Sequence, residues 1–384
     1  MTQQEFTRIE KIAQHFQFEG RLVQIEPWGN GHINDTYLLT YEIGKMGSIQ
    51  VILQRINKNV FPKPEEVMEN MMNVTNHLHK KILENGGNPY RETINVIPSI
   101  DNKPYYKETE NDYWRATMFI TDATCYEVAE SADDFYQSAV AFGKFQSLLA
   151  DFPAEELHET IKNFHNTKSR FMNFKKAVEE DVAGRAESVS EEIRFVLEHE
   201  KDANYFVDLI EKHEVPIRVT HNDTKLNNIM IDNKTHKGIC VIDLDTTMPG
   251  LAMYDFGDSI RFGASTGEED ERDLSKVSCS MELFEAYTRG FIEGCDGKLT
   301  DREIELLPMG AKVITYECGM RFLTDYLQND VYFKTSRKDH NLDRARTQFK
   351  LVSDMEKKWN QMQSIVKNII QKQKFRITEA DCGY

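Results

Sequence analysis

No C-x-x-C pair occurs among the six cysteines, Cys125, Cys240, Cys279, Cys295, Cys318 and Cys382, which stand far apart in the chain. That spacing argues against a zinc site or a redox dithiol, and free thiols in a reducing cytoplasm are the plain expectation. No stretch of about 18 apolar residues is present to span a membrane. The opening MTQQEFTRIEKIAQHF lacks the basic segment and apolar run of a secretory leader, so a cytoplasmic location is expected. Positive charge is also in short supply: 47 Lys and Arg against 63 Asp and Glu leave a formal net charge of −16. A surface that acidic repels nucleic-acid phosphates and anionic lipid, so neither is an expected partner. It gives an anionic nucleotide no long-range attraction either, and only local groups and metal ions would hold one. Internal repeats and low-complexity linkers are absent too.

What is present is the composition of a globular protein, 40% hydrophobic and 29% charged over 384 residues, long enough for two domains or one large bilobal unit. Residues 5–17 read as a helix. Strands are expected at 22–26, 35–41 and 50–56, then a helix over 64–83 with Val67, Met71, Val74 and Leu78 on one stripe. Further strands at 93–98, 105–107 and 113–120 complete a mostly antiparallel sheet carrying one helix. Beyond a boundary near Thr121 the pattern turns helical, at 135–149, 191–199, 203–213, 281–292, 301–327 and 341–372, with short β runs at 218–220 and 239–244. The expected organisation is α+β: a small antiparallel-sheet lobe over 1–121 and a mainly helical lobe over 122–384.

The chemistry concentrates in Thr220-His221-Asn222-Asp223-Thr224-Lys225-Leu226-Asn227-Asn228, which contains H-x-D-x-x-x-x-N directly after a short apolar strand. Fifteen residues past Asn228, a second apolar run ends in Asp243. This is the order of a kinase catalytic loop followed by a metal-binding aspartate. Phosphoryl transfer is mostly positioning and charge neutralisation. An aspartate orients the acceptor hydroxyl, while an amide and a carboxylate oxygen hold Mg²⁺ against the phosphates. Lys225, two residues after Asp223, is placed to meet the transferring phosphoryl group. Asp245 would share a side with Asp243, either in the metal shell or behind it. A literal D-F-G at Asp255-Phe256-Gly257 follows a turn rather than an apolar strand. Asp255 is therefore expected to bond backbone amides of the catalytic loop, leaving Asp243 as the metal ligand. Near the N-terminus, Gly29-Asn30-Gly31-His32-Ile33-Asn34 supplies two glycines between strands, a loop that lets backbone amides approach phosphates.

At these residues the chain resembles the aminoglycoside phosphotransferase and choline kinase superfamily, which shares the protein-kinase fold. It is most similar to the N-acetylhexosamine 1-kinases in residues 26–34, 220–228, 242–246, 256–265 and 317–323. The resemblance implies a bilobal kinase-like fold and ATP-dependent phosphorylation of the anomeric hydroxyl of N-acetylglucosamine or N-acetylgalactosamine. It implies Asp223 as catalytic base, Lys225 on phosphate, Asn228 and Asp243 as Mg²⁺ ligands, and Gly29, Gly31 and Asn34 around the nucleotide phosphates. It also implies adenine between the lobes against Phe119 and Ile120, with Arg321 and Tyr332 on the sugar. ATP and a small amino sugar are thus the expected partners; oligomeric state is not indicated. One departure stands out. The third strand reads Val51-Ile52-Leu53-Gln54-Arg55-Ile56, and the superfamily usually has Lys or Arg where Gln54 falls. Gln54 cannot neutralise phosphates, and Arg55 points to the opposite face. Two other readings stay open: a kinase for a cationic substrate of the choline or aminoglycoside type, which the acidic charge permits, and a non-catalytic pseudokinase-like binding protein, for which Gln54 speaks.

Overall fold

The structure, a computed structural model, describes every residue except 30–32, 130 and 382–384, with backbone alone at 46 and 373–381. The chain forms two compact units. The first comprises Met1–Thr124, Asp151–Lys162 and Met230–Pro249; the second comprises Cys125–Ala150, Asn163–Ile229 and Gly250–Tyr384.

The first unit opens with helix α1 (Gln3–Ala13), started by a capping box in which Thr2 and Glu5 satisfy each other's backbone amides. Strands β1 (Arg21–Pro27), β2 (Asp35–Glu42), β3 (Ser48–Ile56), β4 (Val96–Ile97), β5 (Tyr106–Lys107) and β6 (Tyr113–Met118) form one antiparallel sheet in the order β1-β2-β3-β6-β4, with β5 also on β6. Alternation decides its faces. Val51 and Leu53 of β3, Leu39 and Tyr41 of β2, and Trp114 and Ala116 of β6 join Ile9, Ile12 and Ala13 of α1 in one core. Thr36, Gln54 and Arg115 are register partners across β2, β3 and β6 on the other face. Helix α2 (Pro64–Glu84) begins with proline in its first turn followed by Glu65 and Glu66, a favourable start for the helix dipole, and buries the expected stripe of Val67, Met71, Val74 and Leu78. Ile229–Asp232 lies between Gly238–Val241 and Ala123–Thr124 in a separate three-stranded sheet.

The second unit is helical. Two expected helices are divided. Residues 301–327 split into Asp301–Glu305 and Leu307–Leu327, because Pro308 lacks an amide hydrogen and fits only a first turn. Residues 341–372 split at Lys358 into His340–Lys357 and Trp359–Asp381; the Lys358 ammonium is drawn to Ser278 Oγ at 2.7 Å and Cys279 O at 2.9 Å. The helix Thr167–Glu180 was not expected, although Phe171, Phe174 and Ala177 line its buried side. The helix Ala252–Gly263 crosses Leu307–Leu327 at close range: a Cβ on Gly257 would stand 2.4 Å from Gly310 O, and one on Gly310 would stand 2.4 Å from Met253 O. The glycine of the D-F-G string therefore has a packing reason. Among the described residues no helix is long and apolar enough to cross a membrane.

Candidate active site

The strand Arg218–Thr220 delivers the chain into His221, whose ring is buried edge-on to Phe142 and Phe145 at 5.5 and 6.0 Å. Asn222 then takes a left-handed conformation at φ 65°, which asparagine tolerates better than most side chains. Its amide closes on Thr220, donating to the backbone O at 3.2 Å and accepting from Oγ1 at 3.0 Å. The turn presents Asp223, 29% exposed, with the Lys225 ammonium 2.9 Å from its carboxylate. The amide nitrogen of Asn228 donates to Asp223 O at 2.8 Å and to Asp223 Oδ2 at 3.1 Å. Asp223, Lys225 and Asn228 are thus brought together, and with its nitrogen committed, the Asn228 carbonyl oxygen is the atom that could serve a cation. Burial would raise the Asp223 carboxyl, but Lys225 overcomes it, aided by His221 and Asn228, and the group lies below the usual carboxylate range. Asp223 in turn holds Lys225 firmly protonated. Lys225 also lines a cavity of about 230 Å³ with Arg261, Ser265 and Gln348.

The loop is held by one helix. Asp255 Oδ2 accepts the N–H of His221 at 3.0 Å and Gln146 Nε2 at 2.7 Å, while Oδ1 accepts the N–H of Asn222 at 2.8 Å. One turn on, Asp258 accepts the N–H of Thr224 at 3.0 Å and is gripped by Arg261. Ser259 donates to Thr224 O at 2.6 Å and receives the Tyr287 hydroxyl at 2.6 Å. Asp255 therefore has the structural role its position after a turn suggests. Asp258 and Ser259 are additions: they share a helix face with Asp255 at i+3 and i+4, but nothing in the sequence ties that face to a loop more than 30 residues away.

In the first unit, Asp243 ends the run after Gly238–Val241 in a left-handed conformation (φ 58°, ψ 57°) with its side chain exposed. The turn that follows, Leu244–Thr246, is buried. Asp245 is 3% exposed and salt-bridged to Arg115, so of the roles open to it in sequence, the one behind Asp243 fits its surroundings. Gly29 has φ 74° with nothing within 4 Å of where a Cβ would lie, as a tight turn requires. Gly31 lies outside the described residues. Asn34 donates to Asp245 Oδ2 at 2.7 Å. Phe119 donates its N–H to Gln50 O at 3.1 Å and sets its ring edge-on to Trp28; Ile120 is buried. Arg55 lies on the face away from Gln54 and pairs with Asp35 and Asp112 at 2.8 and 2.9 Å. In the second unit, Arg321 sits among the rings of Phe164, Tyr332 and Phe333 at 5.6, 6.0 and 5.5 Å, and Tyr332 is 62% exposed.

Comparison with known proteins bears on the family and the fold. The model of the phosphotransferase enzyme family matches residues 24–279. Among solved structures, a microcompartment-associated aminopropanol kinase is 14% identical with a TM-score of 0.56, over 93% of this chain and 98% of its own. An aminoglycoside phosphotransferase from Alicyclobacillus acidocaldarius is 13% identical with a TM-score of 0.56, over 94% and 95%. A choline kinase from Cryptosporidium parvum is 13% identical with a TM-score of 0.54, over 94% and 97%. At such identities the likeness shows the fold, which is kinase-like.

Proposed function

Since the chain belongs to the phosphotransferase enzyme family, we infer that it moves the γ-phosphoryl group of ATP to the anomeric hydroxyl of an N-acetylhexosamine, giving the sugar 1-phosphate. The observation that carries the reading is the arrangement at Asp223: a carboxylate held ionised by Lys225 at 2.9 Å and fixed in orientation by Asn228. Asp223 accepts the acceptor hydroxyl's hydrogen and aims its oxygen at the γ-phosphorus for direct in-line transfer. An anomeric hydroxyl is more acidic than an ordinary alcohol, so a carboxylate without a raised pKa suffices as its base. Lys225 meets the charge on the transferred group. Asn228 and Asp243 offer an amide and a carboxylate oxygen, hard donors that suit Mg²⁺. Asn228 and Asp243 would each give Mg²⁺ one oxygen, and the ion would supply charge neutralisation at the phosphates. Gly29, Gly31 and Asn34 serve the phosphates, and the backbone at Phe119 and Ile120 the adenine.

Support for a neutral sugar comes from Arg321 and Tyr332. The three rings that would cage a cationic substrate already hold the Arg321 guanidinium, whose N–H groups suit sugar hydroxyls or an acetamido oxygen. The second reading, a choline- or aminoglycoside-type substrate, is favoured by the net charge of −16. A coupled ADP-release assay with N-acetylglucosamine, N-acetylgalactosamine, choline and an aminoglycoside separates them. Turnover confined to the N-acetylhexosamines is expected; turnover confined to the cations would replace the sugar. An ATP-dependent rise in melting temperature with no turnover on the whole panel would indicate a binding protein instead.

Lys225→Met carries its own signature. With the cation gone, burial of Asp223 is opposed only by His221 and Asn228, and its pKa rises. Because the working form is the carboxylate, the acid limb of the kcat/KM profile moves to higher pH. An acid limb that does not move would break the link between the two residues.

A further inference from the structure

The missing lysine at Gln54 has a counterpart one strand away. Arg115 on β6 is the register partner of Gln54 on β3, and their side chains meet on the same face: Arg115 Nε donates to Gln54 Oε1 at 2.9 Å. Gln54 passes the contact on, its Nε2 donating to Thr36 Oγ1 at 3.0 Å. The other edge of the guanidinium takes Asp245 in a fork, Nη1 on Oδ1 and Nη2 on Oδ2, the latter at 3.0 Å. Asp245 Oδ2 also accepts from Asn34, whose own Oδ1 accepts the N–H of Asn57 at 2.9 Å. Arg115 and Asp245 are 2% and 3% exposed, which keeps this guanidinium from phosphate and makes it a fixed part of the unit.

Asp245 lies two residues after Asp243, in the turn that displays the Asp243 carboxylate. The same turn is tied down by Thr160 Oγ1 on Asp245 O at 3.3 Å and by Asn70 Nδ2 on Thr247 O at 3.1 Å. We propose that Arg115 positions Asp243 for the metal–nucleotide complex by clamping Asp245 to the sheet, and that Gln54 is the acceptor matched to Arg115 rather than a degraded lysine. A planar fork suits this task, since it holds a carboxylate at two points while its third edge reads Gln54. A lysine at 54 would replace the acceptor of Arg115 with a second cation on the same face. On this face of the sheet the cation stands on β6 rather than β3, and its partner is a carboxylate two residues from Asp243. None of α2's first three glutamates takes that part: Glu65 accepts the Tyr113 hydroxyl, Glu66 pairs with Lys63 and Glu69 pairs with His158. The functional consequence rests on the kinase reading above.

The test is calorimetric titration of Mg·ADP into the wild-type protein and into Gln54→Lys, Gln54→Met and Arg115→Lys, with circular dichroism as the folding control. Groups that orient a metal ligand typically alter affinity about 10- to 100-fold. Gln54→Lys should therefore weaken Mg·ADP at least about tenfold, with Gln54→Met and Arg115→Lys weakening it less, all at unchanged dichroism. Affinities within about twofold of wild type in all three would reduce Arg115 to a packing residue. Tighter binding by Gln54→Lys would show that position 54 is still where a cation belongs. Either result overturns the proposal while leaving the kinase reading intact, whereas a wild-type protein that takes up no Mg·ADP removes both. Should Arg115→Lys fail to fold, the half-buried Gln54 variants decide.

Discussion

Asp223→Asn is expected to lower kcat by about two to four orders of magnitude, the usual loss when a positioned general base is removed. The substitution keeps the shape of the side chain. The backbone O of residue 223 still accepts from Asn228, and the amides of His221 and Asn222 stay on Asp255. What disappears is the charge. Lys225 loses its partner, but it is 33% exposed, and a pair of that kind contributes about 0–1 kcal/mol. Melting temperature should hardly move while turnover collapses. A variant that turns over at near wild-type rate with the same product would remove Asp223 from the mechanism, and a variant that loses turnover only because it unfolds would leave the role unproven. Measuring kcat and melting temperature on one preparation separates these outcomes.

Asp255→Ala should act in the opposite way, through folding. One buried carboxylate satisfies three donors, the amides of His221 and Asn222 and the side chain of Gln146. Gln146 keeps Val219 O at 3.0 Å, but the two backbone amides lose this acceptor in a buried site, at about 1–3 kcal/mol each, so a loss of about 2–6 kcal/mol is expected. Burial pushes the Asp255 carboxyl above its ordinary value, while His221 and the amide donors pull it back. The group is therefore costly to bury and tolerated for the donors it gathers. Urea unfolding of wild type and variant gives the difference directly. A change under about 1 kcal/mol would mean that Asp258, Ser259 and Thr224 hold the loop without it.

These two variants follow from features legible in the sequence for a physical reason. The catalytic loop is local: H-x-D-x-x-x-x-N closes within eight residues, and the Asn228–Asp223 bond spans five. Asp255 could be expected on backbone amides of the loop because it follows a turn rather than ending an apolar run. The faces of β3 could be read from the alternation of Val51, Leu53 and Gln54. Arg115 could not. It lies in Tyr113–Met118 between apolar and aromatic neighbours, and its partner Asp245 is 130 residues further along. No periodicity encodes such a pair, and only the folded sheet shows that the cation expected at 54 stands beside it. The helix Ala252–Gly263 is legible only as a start, because ten of its twelve residues are buried and its polar stripe, Asp255, Asp258 and Ser259, faces the loop rather than solvent. Its depth is what lets Asp255, Asp258 and Ser259 all reach the loop.

The central claim, metal-dependent phosphoryl transfer to a small-molecule hydroxyl, is tested most directly by following ATP with N-acetylglucosamine or N-acetylgalactosamine by phosphorus NMR, with Mg²⁺ and again with a chelator. The expected result is ADP and one new phosphomonoester growing in step, its resonance split by the anomeric proton, and neither forming once the metal is removed. ATP that stays intact with every acceptor offered, or a phosphoryl group that appears on the sugar regardless of metal, would contradict it.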